Sequence, residues 1–226
     1  MRTIILVASV ALCVFEGVPG RAQDSHSYNF HIGGGIGVPL GTTADFAGIS
    51  GTFQLGAGPN LNEHSSIVGE FMWHGFPATQ AVLTAIANQL GTSSIPPTVT
   101  ESSNLYALTA NYVYRRGGDR YGYYVIAGGG WYYRHTALNG VTIAPGTVCQ
   151  PIYFWWGYSC ANGIVSTSVT LATKGVSSGG VNGGVGITVN LGDSGVKYYM
   201  EARYHYSPQG GRVSTQVIPV TFGFRW

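Results

Sequence analysis

Charge is what this sequence has least of. Asp, Glu, Lys and Arg make up 9% of its 226 residues, against about 25% in ordinary soluble domains, so much of the surface is expected to face something other than water. The two signs nearly balance, eleven basic residues against nine acidic, which leaves no basic stripe of the kind nucleic acid demands. Long apolar runs are missing too. After the first segment nothing approaches the roughly 20 residues a membrane helix needs. Cysteine is scarce: Cys13, Cys149 and Cys160 are the three in the chain, and no further Cys or His is spaced to complete a metal site with them. Neither a metal nor another cofactor is expected.

Residues 1–22 read as an export signal. Arg2 is a minimal positive start, Ile4 to Phe15 form an apolar stretch too short to span a bilayer, Pro19 breaks it, and Gly20-Arg21-Ala22 is a small-x-small cleavage site. The mature chain is expected to begin at Gln23, with nine basic and eight acidic residues once Arg2, Glu16 and Arg21 are removed. Bulky Leu12 before Cys13 argues against a lipid-modified cysteine. In an exported protein the two remaining thiols, Cys149 and Cys160, are expected to form a disulfide.

What the sequence has in quantity is alternation of period two, which places successive side chains on opposite faces of a strand. In VNGGVGITVNL, Val181, Val185, Ile187, Val189 and Leu191 share one face and Asn182, Gly184, Gly186, Thr188 and Asn190 the other. KYYMEARYHY and QVIPVTFGFRW repeat the pattern. Eight strands are predicted, near 27–38, 50–61, 65–76, 104–115, 121–134, 177–191, 196–206 and 214–226, most of them matching the roughly 9–11 residues of a tilted membrane strand. LNEH, RRGGDR and GDSG are tight turns after strands two, four and six. Longer connections alternate with them, including 77–103 and 135–176. This is the layout of an all-β fold, an eight-stranded antiparallel transmembrane β-barrel over residues 23–226, with short periplasmic turns and long extracellular loops.

The aromatic residues fall into two groups. Tyr112, Tyr114, Tyr121, Tyr123, Tyr198, Phe224 and Trp226 gather at the periplasmic edge. Phe71, Trp73, Trp131, Tyr133, Tyr204 and Tyr206 gather at the outer edge. Two girdles flanking an aliphatic band are what lipid interfaces select. A soluble β-sandwich does not explain aromatics at both strand ends.

These features together resemble the small eight-stranded outer-membrane β-barrels, such as the transmembrane domain of outer membrane protein A and its adhesin-like relatives. The resemblance covers the mature chain and rests on pattern; only the end, Phe222-Gly223-Phe224-Arg225-Trp226, is motif-like. Phe222, Phe224 and Trp226 resemble the C-terminal signal read by the barrel-assembly machinery, although the family more often ends in Phe. The resemblance implies an outer-membrane location, contact with lipid and lipopolysaccharide, and a monomer.

An eight-stranded lumen is just wide enough for side chains to fill. His31, Gln54, Glu70, Asn111, Asn182, Glu201, Arg203 and Arg225 are predicted to point inward, with Glu70 and Glu201 pairing with Arg203 at mid-depth. The alternative is a narrow pore. A second alternative comes from His205-Tyr206-Ser207. It resembles the His-x-Ser of outer-membrane lipid A deacylases, whose serine-hydrolase triad needs a third group to orient the base. Pro208 stands where that family has Asn, and no Asp or Glu follows Glu201. Alternation also turns His205 inward, away from any lipid. Gly33-Gly34-Gly35-Ile36-Gly37 continues a strand instead of opening a helix, so it is no phosphate loop. His74 lacks a neighbour with which to hold a metal.

The remaining candidate is CQPIYFWWGYSC, in the longest loop. Tyr153, Phe154, Trp155, Trp156 and Tyr158 lie between the two cysteines, either folded onto the barrel mouth or held out as a contact surface, since Tyr and Trp dominate binding hot spots. Nearby Val165 to Leu171 still alternate, which extends strands five and six as a hairpin above the membrane. Thr79 is the predicted N-cap of a short helix in which Val82, Ile86 and Leu90 share a face and Gly91 is the stop. The expected function is non-enzymatic: membrane architecture and interaction with an unknown surface ligand through these loops.

Overall fold

The computed structural model describes residues 28–90, 98–117, 120–151, 158–192, 195–208 and 214–226. Residues 1–22, Gly91 and four of the five loop aromatics (Tyr153, Phe154, Trp155 and Trp156) lie outside them; Tyr158 enters only as the first backbone position of a strand. Eight strands follow in order: β1 (Tyr28–Pro39), β2 (Ser50–Pro59), β3 (Ser65–Pro77), β4 (Thr98–Gly117), β5 (Tyr121–Pro151), β6 (Tyr158–Asn190), β7 (Lys197–Pro208) and β8 (Ser214–Arg225). Helix α1 (Gln80–Leu90) lies between β3 and β4, and one turn of 3-10 helix occupies Gly41–Thr43. Every strand pairs antiparallel with its sequence neighbours, and β1 closes on β8, with Ile32 opposite Phe224 and Ile36 opposite Val220. Closure leaves no open edge in the wall.

Burial is inverted relative to a soluble domain. Ile32, Ile36, Leu55, Ile67, Leu108, Val125, Val181, Val185 and Ile187 are exposed on the outside, while Gln54, Glu70, Asn111, Glu201, Arg203 and Arg225 are buried inside. Along β7 the pattern is strictly alternate from Tyr198 to Pro208. The aromatics Tyr112, Tyr114, Tyr121, Tyr123, Tyr198, Phe224 and Trp226 are exposed near the end of the barrel that carries the short turns. Trp131, Tyr204 and Tyr206 are exposed toward the opposite, far end, with Phe71, Trp73 and Tyr133 half-buried there. From Tyr123 to Tyr133 a strand tilted by about 40° climbs roughly 25 Å, the height of the apolar band of such barrels.

Most of the stretch expected as a loop from His135 to Val176 is strand: β5 runs on to Pro151 and β6 starts at Tyr158. The β5–β6 ladder runs unbroken in pairing from Tyr121↔Val189 to Pro151↔Tyr158, with a register shift at Leu138/Asn139. β4 accompanies β5 only as far as Thr98↔Val141, and β7 leaves β6 at Val181↔Tyr206. Beyond those points, among the described residues, the two strands pair only with each other, as a two-stranded ribbon. Helix α1 begins where expected: the Thr79 carbonyl accepts the Leu83 N–H at 3.1 Å. Its hydroxyl, however, donates to the Asp45 carbonyl at 3.3 Å and so ties the helix to the β1–β2 connection instead of capping it.

Candidate functional site

The lumen is built around Arg203, which is 1% exposed. Alternation along β7 turns it inward, and its guanidinium donates to both carboxylates that flank it. Nη1 and Nη2 reach the two oxygens of Glu70 at 2.5 and 3.0 Å, and Nε reaches Glu201 Oε1 at 2.9 Å, with Nη2 donating to the same oxygen. The second oxygen of each acid is also occupied. His31 Nε2 lies 2.8 Å from Glu70 Oε2, and the Tyr124 hydroxyl donates to Glu201 Oε2 at 2.8 Å. Burying a charge costs least when it is paired and hydrogen-bonded, and Arg203, Glu70 and Glu201 meet that condition. Arg225 stacks on the Tyr124 ring, its guanidinium carbon 4.3 Å from the ring centroid.

Apolar layers close the lumen on either side of the charges. Val68, Val113, Tyr124 and Ile126 pack together toward the near end. Met72, Phe76, Leu105, Ala107, Tyr132 and Val217 form a second layer toward the far end, with Ala47 against it. Gln54 donates to the Tyr199 and Thr221 hydroxyls, and Asn182 donates to Asn111.

The inward tyrosines Tyr124, Tyr132 and Tyr199 escape a reading that assigns tyrosines to girdles. Their signal is the doublet: in Tyr123-Tyr124, Tyr132-Tyr133 and Tyr198-Tyr199 one ring faces out and its neighbour faces in. Inward glycines make room for them. A Cβ at Gly186 would overlap the Tyr124 ring, and one at Gly33 would overlap the Tyr199 hydroxyl. Large and small residues thereby interlock across strands. Within the glycine run of β1, Gly33 has this role.

His205 and Ser207 are not hydrogen-bonded to each other in this structure. His205 is buried with its Nδ1 2.9 Å from the Tyr132 hydroxyl, whereas the buried Ser207 hydroxyl lies 2.5 Å from that of Ser178 on β6. A nucleophile works with its base within hydrogen-bond reach, and here each of the two side chains bonds a different partner. His74, also buried, contacts Ser50 Oγ at 3.3 Å and the Met72 sulfur at 3.2 Å. Among the described residues no group of three His, Cys, Asp or Glu side chains is placed to hold a metal.

Beyond the far girdle stands the β5–β6 ribbon. Cys149 and Cys160 face each other across the ladder and are joined by a disulfide, their Cα atoms 4.0 Å apart. Ile164, Val169 and Leu171 are exposed on it, Ile164 by 75%. Phe222, Phe224 and Trp226 point outward along β8, Trp226 stacking on Phe30.

No family model matches the sequence, and no curated protein matches it. Among solved structures, the chain is similar to Ail, the attachment invasion locus protein of Yersinia pestis. The identity is 14% and the TM-score 0.48, with 89% of this chain and 99% of that one covered. It is also similar to Neisserial surface protein A, with 10% identity, a TM-score of 0.45 and coverage of 88% and 95%. The N-terminal β-barrel domain of Pseudomonas aeruginosa OprF gives 12% identity, a TM-score of 0.36 and coverage of 90% and 100%. Likeness at this level carries no argument about activity, and the chain's own geometry carries the assignment. A closed ladder pairs the wall strands with one another all the way round, which is the condition for a sheet to cross lipid, and the apolar, girdled exterior is the surface lipid selects. The chain is a closed eight-stranded antiparallel β-barrel with an apolar, aromatic-girdled exterior and a packed polar lumen.

Proposed function

We propose that this barrel is a non-enzymatic surface protein, a rigid membrane base that presents the β5–β6 ribbon outside the cell to a macromolecular partner. The carrying observation is the ribbon itself: a continuous ladder past the last contacts with β4 and β7, cross-linked by Cys149–Cys160, with Ile164, Val169 and Leu171 turned to solvent. Apolar side chains held rigidly in water favour association. In this reading the ribbon tip, with Tyr153, Phe154, Trp155, Trp156 and Tyr158, makes the contact, the near end faces the periplasm, and the packed lumen conducts nothing. The barrel works as a monomer in contact with lipid and lipopolysaccharide, and Phe222, Phe224 and Trp226 serve its insertion by the assembly machinery.

The test is adhesion of cells displaying the wild-type chain or a variant in which the five tip aromatics are replaced by serine. Both are to be offered immobilised glycans, matrix proteins and sister cells. Loss of binding to one surface by the variant, at equal display, is the expected result. Equal binding of both chains on every surface overturns the reading, and single-channel currents across planar bilayers would replace it with transport.

A further inference from the structure

The far mouth of the barrel holds a cavity of about 220 Å³ that neither the lumen nor the ribbon uses. Phe46 from the β1–β2 connection, Val82 from α1, Phe76 at the end of β3 and Thr215 on β8 line it, together with Glu101 on β4 and Arg134 on β5. Phe76 belongs to the far apolar layer. The cavity therefore meets the packed side chains of that layer at one wall.

Glu101 and Arg134 share the inner face of their strands. Arg134 is opposite Leu105, and Glu101 lies four residues further along β4, where the same alternation turns it inward. They approach the cavity without closing on each other: no ion pair within 4 Å joins them among the described residues. The hydrogen bond of Arg134 is a long one, Nη1 to Thr215 Oγ1 at 3.5 Å. Burial pushes the Glu101 carboxyl up from its ordinary range, and the Arg134 charge works against that. Two opposite charges thus stand in one half-dehydrated space beside an apolar wall, and neither is satisfied by the other.

We infer that the cavity binds a small zwitterion bearing an apolar group, with its ammonium on Glu101, its carboxylate on Arg134 and its apolar end against Phe46, Phe76 and Val82. A simple anion would meet the Glu101 charge and a simple cation that of Arg134, so only a molecule with both signs matches both groups. The volume lies below the roughly 300–1,000 Å³ of pockets for drug-sized ligands. This selects molecules the size of a free amino acid over oligosaccharides or peptides.

The experiment titrates leucine, N-acetylleucine and leucinamide into the isotope-labelled full barrel in lipid nanodiscs, following chemical shifts of residues around the mouth. Leucine is expected to saturate and to bind about tenfold more tightly than either capped form, about 1.4 kcal/mol. Glu101→Gln should abolish the preference over N-acetylleucine while keeping that over leucinamide; Arg134→Gln should do the reverse. Heat-dependent gel mobility confirms that both variants are folded. Absence of saturable leucine binding to folded wild-type protein overturns the proposal. So does equal binding of all three compounds, or a preference that survives both substitutions.

Discussion

Strands β5 and β6 pass through two environments, and the contrast separates what holds this protein up from what it offers. Below Val141 and Val181 each strand is flanked on both sides, one face against lipid and the other against packed lumen residues. Above them each is paired on one side only. The lower part is stabilised by filling: Arg203 with two carboxylates, tyrosines over glycines, apolar layers above and below. The described residues of the upper part are held by ladder bonds and a cross-link. Two-stranded ribbons are marginal in isolation, so the ribbon depends on the barrel for its footing while the barrel does not depend on the ribbon.

The largest test of that asymmetry is Arg203→Met. It leaves Glu70 and Glu201 buried without their shared cation, and breaking a buried pair in this way costs about 3–5 kcal/mol. The urea midpoint for loss of heat-dependent gel mobility in vesicles should fall accordingly; an unchanged midpoint would mean that the cluster is dispensable. Next is the double change Cys149→Ser, Cys160→Ser. Closing a loop of this size is worth about 3 kcal/mol in the chain-entropy model, but the loss should stay in the ribbon. Proteolysis above Val141 should accelerate while the barrel midpoint holds, and a fall in that midpoint would break the comparison. Gly186→Ala forces the Tyr124 ring from its place, and overpacking of this kind costs about 1–3 kcal/mol. Adding Tyr124→Phe or Tyr124→Leu separates the lost space from the lost hydrogen bond to Glu201.

The smallest effect is a pH dependence at the mouth. The Glu101 carboxyl is raised in the folded state, by burial first and against the opposing pull of Arg134, so the folded chain holds that proton more tightly than the unfolded one. Stability from this group is present below the unfolded carboxyl pKa and declines as pH rises toward the folded value. Urea midpoints across the weakly acidic range should slope gently downward with pH in wild type and more weakly in Glu101→Gln. Identical slopes would remove Glu101 from the account.

The wall was legible because lipid and lumen enforce alternation residue by residue. The eight predicted segments sit within or close to the eight strands, and the interior set around Glu70, Glu201 and Arg203 follows from the same parity. The reach of β5 and β6 was legible only in part. Alternation from Val165 to Leu171 pointed to a continued hairpin, but the polar run Ser166, Thr167, Ser168 and Thr170 left its full length unmarked. The mouth cavity was hidden for another reason: its lining comes from segments far apart in sequence, and no local pattern links Phe46 to Val82, Glu101 or Arg134. The tyrosine doublets carried a readable sign, since two adjacent strand positions cannot both face lipid.

The ribbon also has a height. A β-strand advances ~3.3 Å per residue, so the paired stretch from Tyr133 to Pro151 carries its tip up to roughly 60 Å from the outer girdle. That exceeds the thickness of the membrane below it. In the proposed reading a partner that meets the tip would be held at a standoff from the lipid, and shortening the ladder by pairs of residues from both strands would lower the point of contact step by step.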